Sequence, residues 1–173
     1  MLWSGGQEGE HDEGVANTEM GTVPSARSGV EISFAPRLID VRSLVHLDSP
    51  RRRVFDALLH IGAWWPRRVR RGAAIVLEPR VGGRFFENCD DGCGVLLGQV
   101  SRLVMPEEFA IEGSFGIDGP LTGLWSIRLD ADGSRTLLNA RLRAFGAIEE
   151  QVRADTVATW DATYSALAHY LDA

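Results

Sequence analysis

The chain has 173 residues, a formal net charge of −6 and 45% hydrophobic residues, proportions that suit one globular domain with a tail and exclude a large multidomain enzyme. No run of about 18 apolar residues occurs, and the first thirty positions hold no basic start followed by an apolar core, so the sequence predicts neither a membrane span nor a secretory signal. A soluble cytoplasmic protein is the expectation. Cys89 and Cys93 are too few and too close to staple a fold, which leaves stability to a hydrophobic core.

Residues 1–36 carry Glu8, Glu10, Asp12, Glu13, Glu19 and Glu31 against Arg27, with Gly, Ser and Thr between them. Few large apolar groups offset the entropy of ordering there, so this stretch reads as a disordered acidic tail ahead of a single domain over 37–173. Val30, Ile32 and Phe34 alternate with polar neighbours as a short edge strand would, and Pro36 ends any ladder. Without the tail the domain is close to neutral, which speaks against nucleic-acid binding.

Leu38 to Leu47 alternates Ile39, Val41, Val45 and Leu47 with Asp40, Arg42 and His46, the pattern of a half-buried strand. Ser49-Pro50 reads as the N-cap and first position of a helix carrying Val54, Phe55, Leu58 and Leu59 at helical spacing, broken at Gly62 and ended by Trp64-Trp65-Pro66. Ile75–Glu78 and Arg84–Asn88 flank Gly82-Gly83 as a hairpin, and Asp90-Asp91-Gly92 marks the next turn. Val95–Val104, Phe109–Phe115, Gly123–Asp130 and Arg135–Phe145 follow as strands of an antiparallel meander. The segment from Ile148 to about Leu171 has neither Pro nor Gly, and a helical projection brings Trp160, Tyr164, Leu167 and Leu171 into one stripe flanked by Val157.

That order resembles the START-like (SRPBCC) superfamily. The resemblance is carried by Ser49-Pro50 with Val54-Phe55-Asp56-Ala57, by Trp64-Trp65, by Glu78-Pro79-Arg80-Val81-Gly82-Gly83-Arg84-Phe85, by Gly98-Gln99-Val100 and by a tryptophan in the last helix. Within the superfamily the chain is most similar to the branch of the heat-shock chaperone ATPase activator homologues, over Leu38 to the C-terminus. The resemblance implies an α+β helix-grip fold: about seven curved antiparallel strands wrap a long C-terminal helix, two short helices follow the first strand, and a cavity lies between sheet and helix. Carriers of lipids and hormones, polyketide cyclases and chaperone activators share that fold, so it implies a pocket rather than a chemistry.

Aromatic side chains are the expected pocket walls: Trp64 and Trp65 after the short helices, Phe86, Phe115 and Trp125 from strands, and Trp160 and Tyr164 from the last helix, which the resemblance turns toward the cavity. Arg153 is the one charge on the tryptophan stripe, placed to hold an anionic or carbonyl group at the cavity mouth or to extend into water. None of His11, His46, His60 and His169 is expected to point inward, which removes the usual general acid–base residue. Glu78 and Glu87 flank the Gly-Gly turn, either facing each other as a coupled carboxylate pair or forming a surface ion-pair ladder with Arg80 and Arg84. Cys89 and Cys93 lack further ligands for zinc, Gly82-Gly83 is no phosphate loop, and no nucleophile elbow occurs, so no catalytic residue, metal or cofactor is assigned.

Arg51, Arg52, Arg53, Arg67, Arg68, Arg70 and Arg71 stand against Asp56 alone. This density reads as a docking patch for an acidic protein partner, a phosphate-binding surface, or a solvated face neutralised by the acidic tail. The functional expectation is non-catalytic binding of a small hydrophobic molecule (lipid, aromatic or polyketide-like) in the internal cavity. The alternatives are a cyclase-like enzyme, in which Arg153, Tyr164 or Glu87 positions a polyketide-like substrate and polarises its carbonyl, and a modulator of a chaperone ATPase.

Overall fold

The computed structural model describes residues 36–66, 69, 72–89, 92–117 and 119–148, and in the terminal helix the backbone from 150 and side chains from 155. The acidic tail and the expected strand at Val30, Ile32 and Phe34 lie outside the described residues.

Strand β1 spans Arg37–Leu47. Its alternation is the one the sequence predicts, with Ile39 and Leu47 buried, Val41 and Val45 half-buried, and Leu38, Asp40, Arg42, Leu44 and His46 exposed. Helix α1 (Arg51–Leu59) starts one residue later than expected. Pro50, at φ −62° and ψ 145°, occupies the cap position, with its carbonyl accepting the Val54 N–H at 3.1 Å. Ser49 is not the cap. The strand–helix junction buries it, its carbonyl accepts the Thr136 hydroxyl at 2.7 Å, and its own Oγ has no partner. The second short helix is a single 3₁₀ turn, Ile61–Ala63, that delivers Trp64 and Trp65 to the interior.

Strands β2 (Ala74–Leu77), β3 (Arg84–Asn88), β4 (Gly94–Val104), β5 (Glu108–Gly113), β6 (Leu121–Asp132) and β7 (Arg135–Gly146) complete a seven-stranded antiparallel sheet ordered β1-β7-β6-β5-β4-β3-β2. Two irregularities bend β4: the register slips between Phe85 and Phe86 against β3 and between Val100 and Arg102 against β5. Such bulges add local twist and curl the strand. Gly98 and Gly113 approach closely across β4 and β5; a Cβ on Gly113 would stand 2.4 Å from the Gly98 Cα. No other residue fits there.

Helix α2 (Glu150–Asp172), roughly 35 Å long at about 1.5 Å per residue, runs along the inner face of the sheet. Trp160, Tyr164, Leu167 and Leu171 are all buried, as the projection predicts, but Val157 is 58% exposed and does not flank the buried stripe. Phe115 also departs from the sequence reading. It is not a strand residue but sits in the turn after β5 at φ 55°, with its N–H bonded to the Leu97 carbonyl at 2.9 Å. No described helix is long and apolar enough to cross a membrane.

Candidate functional site

Six of the eight expected pocket residues meet in one aromatic cluster between sheet and helix. Trp125 on β6 and Trp160 on α2 lie 4.9 Å apart between ring centroids, Trp65 stands 5.6 Å from Trp125 and 6.0 Å from Trp160, and Phe115 is edge-on to Trp160 at 6.0 Å. Tyr164 lies 6.1 Å from Trp160 and Trp64 lies 5.9 Å from Trp65. These tilted and edge-to-face arrangements are the ones that ring quadrupoles favour. Polar atoms on the rings are satisfied internally: the Trp64 indole donates to the Ala57 carbonyl at 2.7 Å and the Trp125 indole to the Tyr164 hydroxyl at 3.1 Å. Burial pushes the Tyr164 phenol well up, outweighing the opposite effect of the Trp125 bond, so it stays protonated through neutral pH.

Phe86, another expected residue, is not in the cluster. Phe86 lies on the opposite face of β3, with the Arg84 guanidinium 4.7 Å over its ring, and Phe85 takes the inward place, edge-on to Trp65 at 5.4 Å. A strand reading Arg-Phe-Phe-Glu-Asn offers one phenyl to the interior in either register. Only pairing decides which, and β2 and β4 put Phe85 inside. The Arg153 side chain lies outside the described residues.

The rings fill most of the space that the helix-grip arrangement was expected to leave. Among the described residues, a cavity of about 30 Å³ adjoins the cluster, lined by Trp65, Glu87, Leu97, Phe115 and Trp160, with Thr156, Thr159 and Thr163 along the facing side of α2. That is the scale of a single water, far below the roughly 300–1,000 Å³ of a drug-sized ligand site. Trp65 is the physical reason: the 3₁₀ turn drives its indole in among Phe85, Trp125 and Trp160, which spacing along the chain does not reveal.

Glu87 does not face Glu78. In the β2–β3 register it pairs with Ile75, points inward with Phe85, and is 1% exposed. Its Oε1 accepts the backbone N–H of Val69. Glu78 lies outside the ladder and takes the surface ion-pair role, with Arg84 Nη2 at 2.6 Å and Arg80 at 3.3 Å; bonds from the Arg84 side chain and then its backbone N–H hold the carboxyl below the usual range. The signal available in the sequence was strand alternation, which ties Glu87 to the face of Phe85. The threonines of α2 gave no signal, because Thr156 and Thr163 read as ordinary helix positions.

The three described histidines, His46, His60 and His169, are all exposed. Neither Cys89 nor Cys93 is in a disulfide, and no group of metal-ligating side chains occurs among the described residues. Of the basic segment, Arg51 pairs with Glu107 at 3.4 Å and Arg52 with Asp56 at 3.1 Å, whereas Arg67, Arg68, Arg70 and Arg71 lie outside the described residues. A wider open groove of about 780 Å³ lies on the outer face of the sheet. Its arginines are largely committed to neighbouring carboxylates: Arg141 to Asp40 at 2.8 and 2.5 Å, Arg102 to Glu108 at 2.8 Å and Arg128 to Asp130 at 3.1 Å.

The chain matches no family model and no curated protein. Solved structures do resemble it. An uncharacterised protein from Rhizobium leguminosarum superposes with a TM-score of 0.64 at 16% identity over 82% of this chain and 99% of that one. CalU16 from Micromonospora echinospora gives 0.55 at 17% identity over 80% and 85%. DynU16, a protein of the dynemicin biosynthetic locus, gives 0.59 at 19% identity over 77% of this chain and 47% of that one. At such identities the likeness is one of fold, and that fold is the helix-grip: a curved antiparallel sheet closed on a C-terminal helix.

Proposed function

We propose that the protein binds a small aromatic molecule carrying a hydrogen-bond donor, at the end of the inner face where Glu87 meets Trp65, Phe115 and Trp160. The fully buried Glu87 carboxylate carries this reading. Removing a carboxylate from water costs several kcal/mol unless it is hydrogen-bonded, as Glu87 is to the Val69 N–H, and a few such placed polar groups among apolar walls are what a ligand site uses. The three threonines of α2 extend the same polar edge. The START-like resemblance agrees with this reading, and a structural neighbour from a biosynthetic locus is consistent with work on small molecules. Because the cavity is water-sized, a ligand must displace a ring, and Phe115, which lines the cavity from a turn rather than a strand, is the side chain proposed to move.

A cyclase-like reaction is the second reading. Among the described residues proposed for it, Glu87 is the one that lines this cavity, as an acceptor for a donor hydrogen on the substrate. Tyr164 accepts from Trp125 and its phenol is held protonated.

Indole and indene differ in the ring N–H and hardly in shape. Titrating each by calorimetry and thermal shift, we expect indole to bind and raise the Tm, indene to bind at least about fivefold more weakly, and Glu87→Met to remove that preference. Equal affinity for the two in the unaltered protein, or no effect of either, overturns the proposal.

A further inference from the structure

Strand β1 is an outer strand of the sheet. Among the described residues it pairs only with β7, without interruption over all 11 residues from Arg37 to Leu47. Its other edge is a row of backbone N–H and C=O groups, which natural sheets normally blunt with a bulge, a proline or clustered lysines. None of these occurs within β1. Among the described residues the strand borders a groove of about 440 Å³ that it shares with α2, lined by Ser43, Val45, Asp161 and Ser165 among others. On the outer face Leu38 and Leu44 are 65% and 61% exposed, with Asp40 and Arg42 between them.

We infer that two copies of this chain pair β1 against β1, antiparallel, about a two-fold axis at Val41. A two-fold pairing of identical strands is defined by the residue on the axis, so the alternatives can be compared directly. Centring on Asp40 sets carboxylate against carboxylate and Leu38 against Arg42. Centring on Arg42 sets guanidinium against guanidinium and Asp40 against Leu44. Centring on Val41 places Asp40 opposite Arg42 of the second copy, and Leu38 opposite Leu44, each twice. On the inner face the same register pairs Val41 with itself and Ile39 with Ser43.

Charge and apolar complementarity thus coincide in one register and fail in its neighbours. Arg141 fixes the Asp40 carboxylate, and Arg42, with 71% of its side chain exposed, comes no closer than 3.8 Å to Asp40 of its own copy, so it is available to a second. The product is a sheet continuous through both copies, with Leu38, Leu44 and half-buried Val41 covered.

Sedimentation velocity of the full chain across the micromolar range tests this. The unaltered protein is expected to be a dimer. Arg42→Asp sets like charges together at both ends and is expected to raise the dissociation constant at least about tenfold; adding Asp40→Arg recreates the pairs in swapped order and restores the dimer. In a Cys89→Ser, Cys93→Ser background, Val41→Cys is expected to give a covalent dimer with a short bismaleimide, and Ser43→Cys is expected not to. Circular dichroism confirms that each variant is folded. A monomer throughout the range, a dimer indifferent to Arg42→Asp, or equal cross-linking at positions 41 and 43 overturns the inference.

Discussion

Replacing Trp160 with alanine separates a packed interior from an open one. The ring is 6% exposed and stands between Trp125 at 4.9 Å, Trp65 and Phe115 at 6.0 Å and Tyr164 at 6.1 Å. Truncating a tryptophan in such surroundings costs about 3–5 kcal/mol in transfer and cavity terms. Four aromatic neighbours, at up to about 1 kcal/mol each beyond area, put the expectation at the upper end. Against a total stability of about 5–15 kcal/mol for a domain, the variant should lose a third or more, shifting the urea midpoint by about 2 M. Far-UV circular dichroism is the readout, because it does not depend on the deleted indole. Val157→Ala, on the exposed side of the same helix, should change stability by less than about 0.5 kcal/mol. Added indole should return part of the stability to Trp160→Ala and none to Val157→Ala, as expected of an apolar hole lined by intact walls. A loss under about 2 kcal/mol with no response to indole would mean that the ring hangs in an open cavity, and the packed description of the inner face would be wrong.

Three further outcomes follow from named atoms. Phe115 holds φ at 55°, a conformation that costs a residue with a Cβ about 1 kcal/mol, so Phe115→Gly should unfold at higher denaturant than Phe115→Ala although both lose the ring. Ser49→Ala removes a buried hydroxyl without a partner and should leave Tm unchanged or raise it by about 2–4 °C, whereas loss of a genuine N-cap would lower it by a similar amount. The carboxyls of Asp40 and Glu78 are held below their ordinary values by bonds from Arg141 and Arg84 respectively. A folded value below the unfolded one gives stability that is present above the unfolded value and lost as pH falls through the folded one. Melting temperature should therefore fall less steeply below about pH 4 in Arg141→Gln and Arg84→Gln than in the unaltered chain.

Much of the fold is legible because its determinants are local. The alternation of β1, the glycine and proline turns between strands, and the recurrence of Trp160, Tyr164, Leu167 and Leu171 each follow from the period of one element. The misplaced details depend on neighbours that the chain brings together only on folding. The sequence points to Phe86 rather than Phe85 because a two-residue repeat is ambiguous until β2 and β4 fix the register. Helix and sheet geometry predict room for a cavity without showing whether side chains fill it, whereas the depth to which Trp65 enters is set by a three-residue 3₁₀ turn. Ser49 looked like a cap by residue type, and only its burial against β7 shows why the helix begins at Arg51.

Two departures from local preference sit side by side in the described fold: a carboxylate is buried at Glu87, where it accepts the Val69 N–H, and a phenylalanine occupies a left-handed conformation at Phe115. Either alone is an ordinary imperfection. Both side chains line the same cavity of about 30 Å³, alongside the tryptophan contributed by α2. Sequences that fold reliably tend to satisfy local preferences everywhere except where function demands otherwise. In the proposed site a ligand donor adds to the bond that the Glu87 carboxylate already accepts from Val69, at a wall that includes Phe115. A core selected only for stability would have replaced each residue separately, with a leucine at position 87 and a glycine at position 115.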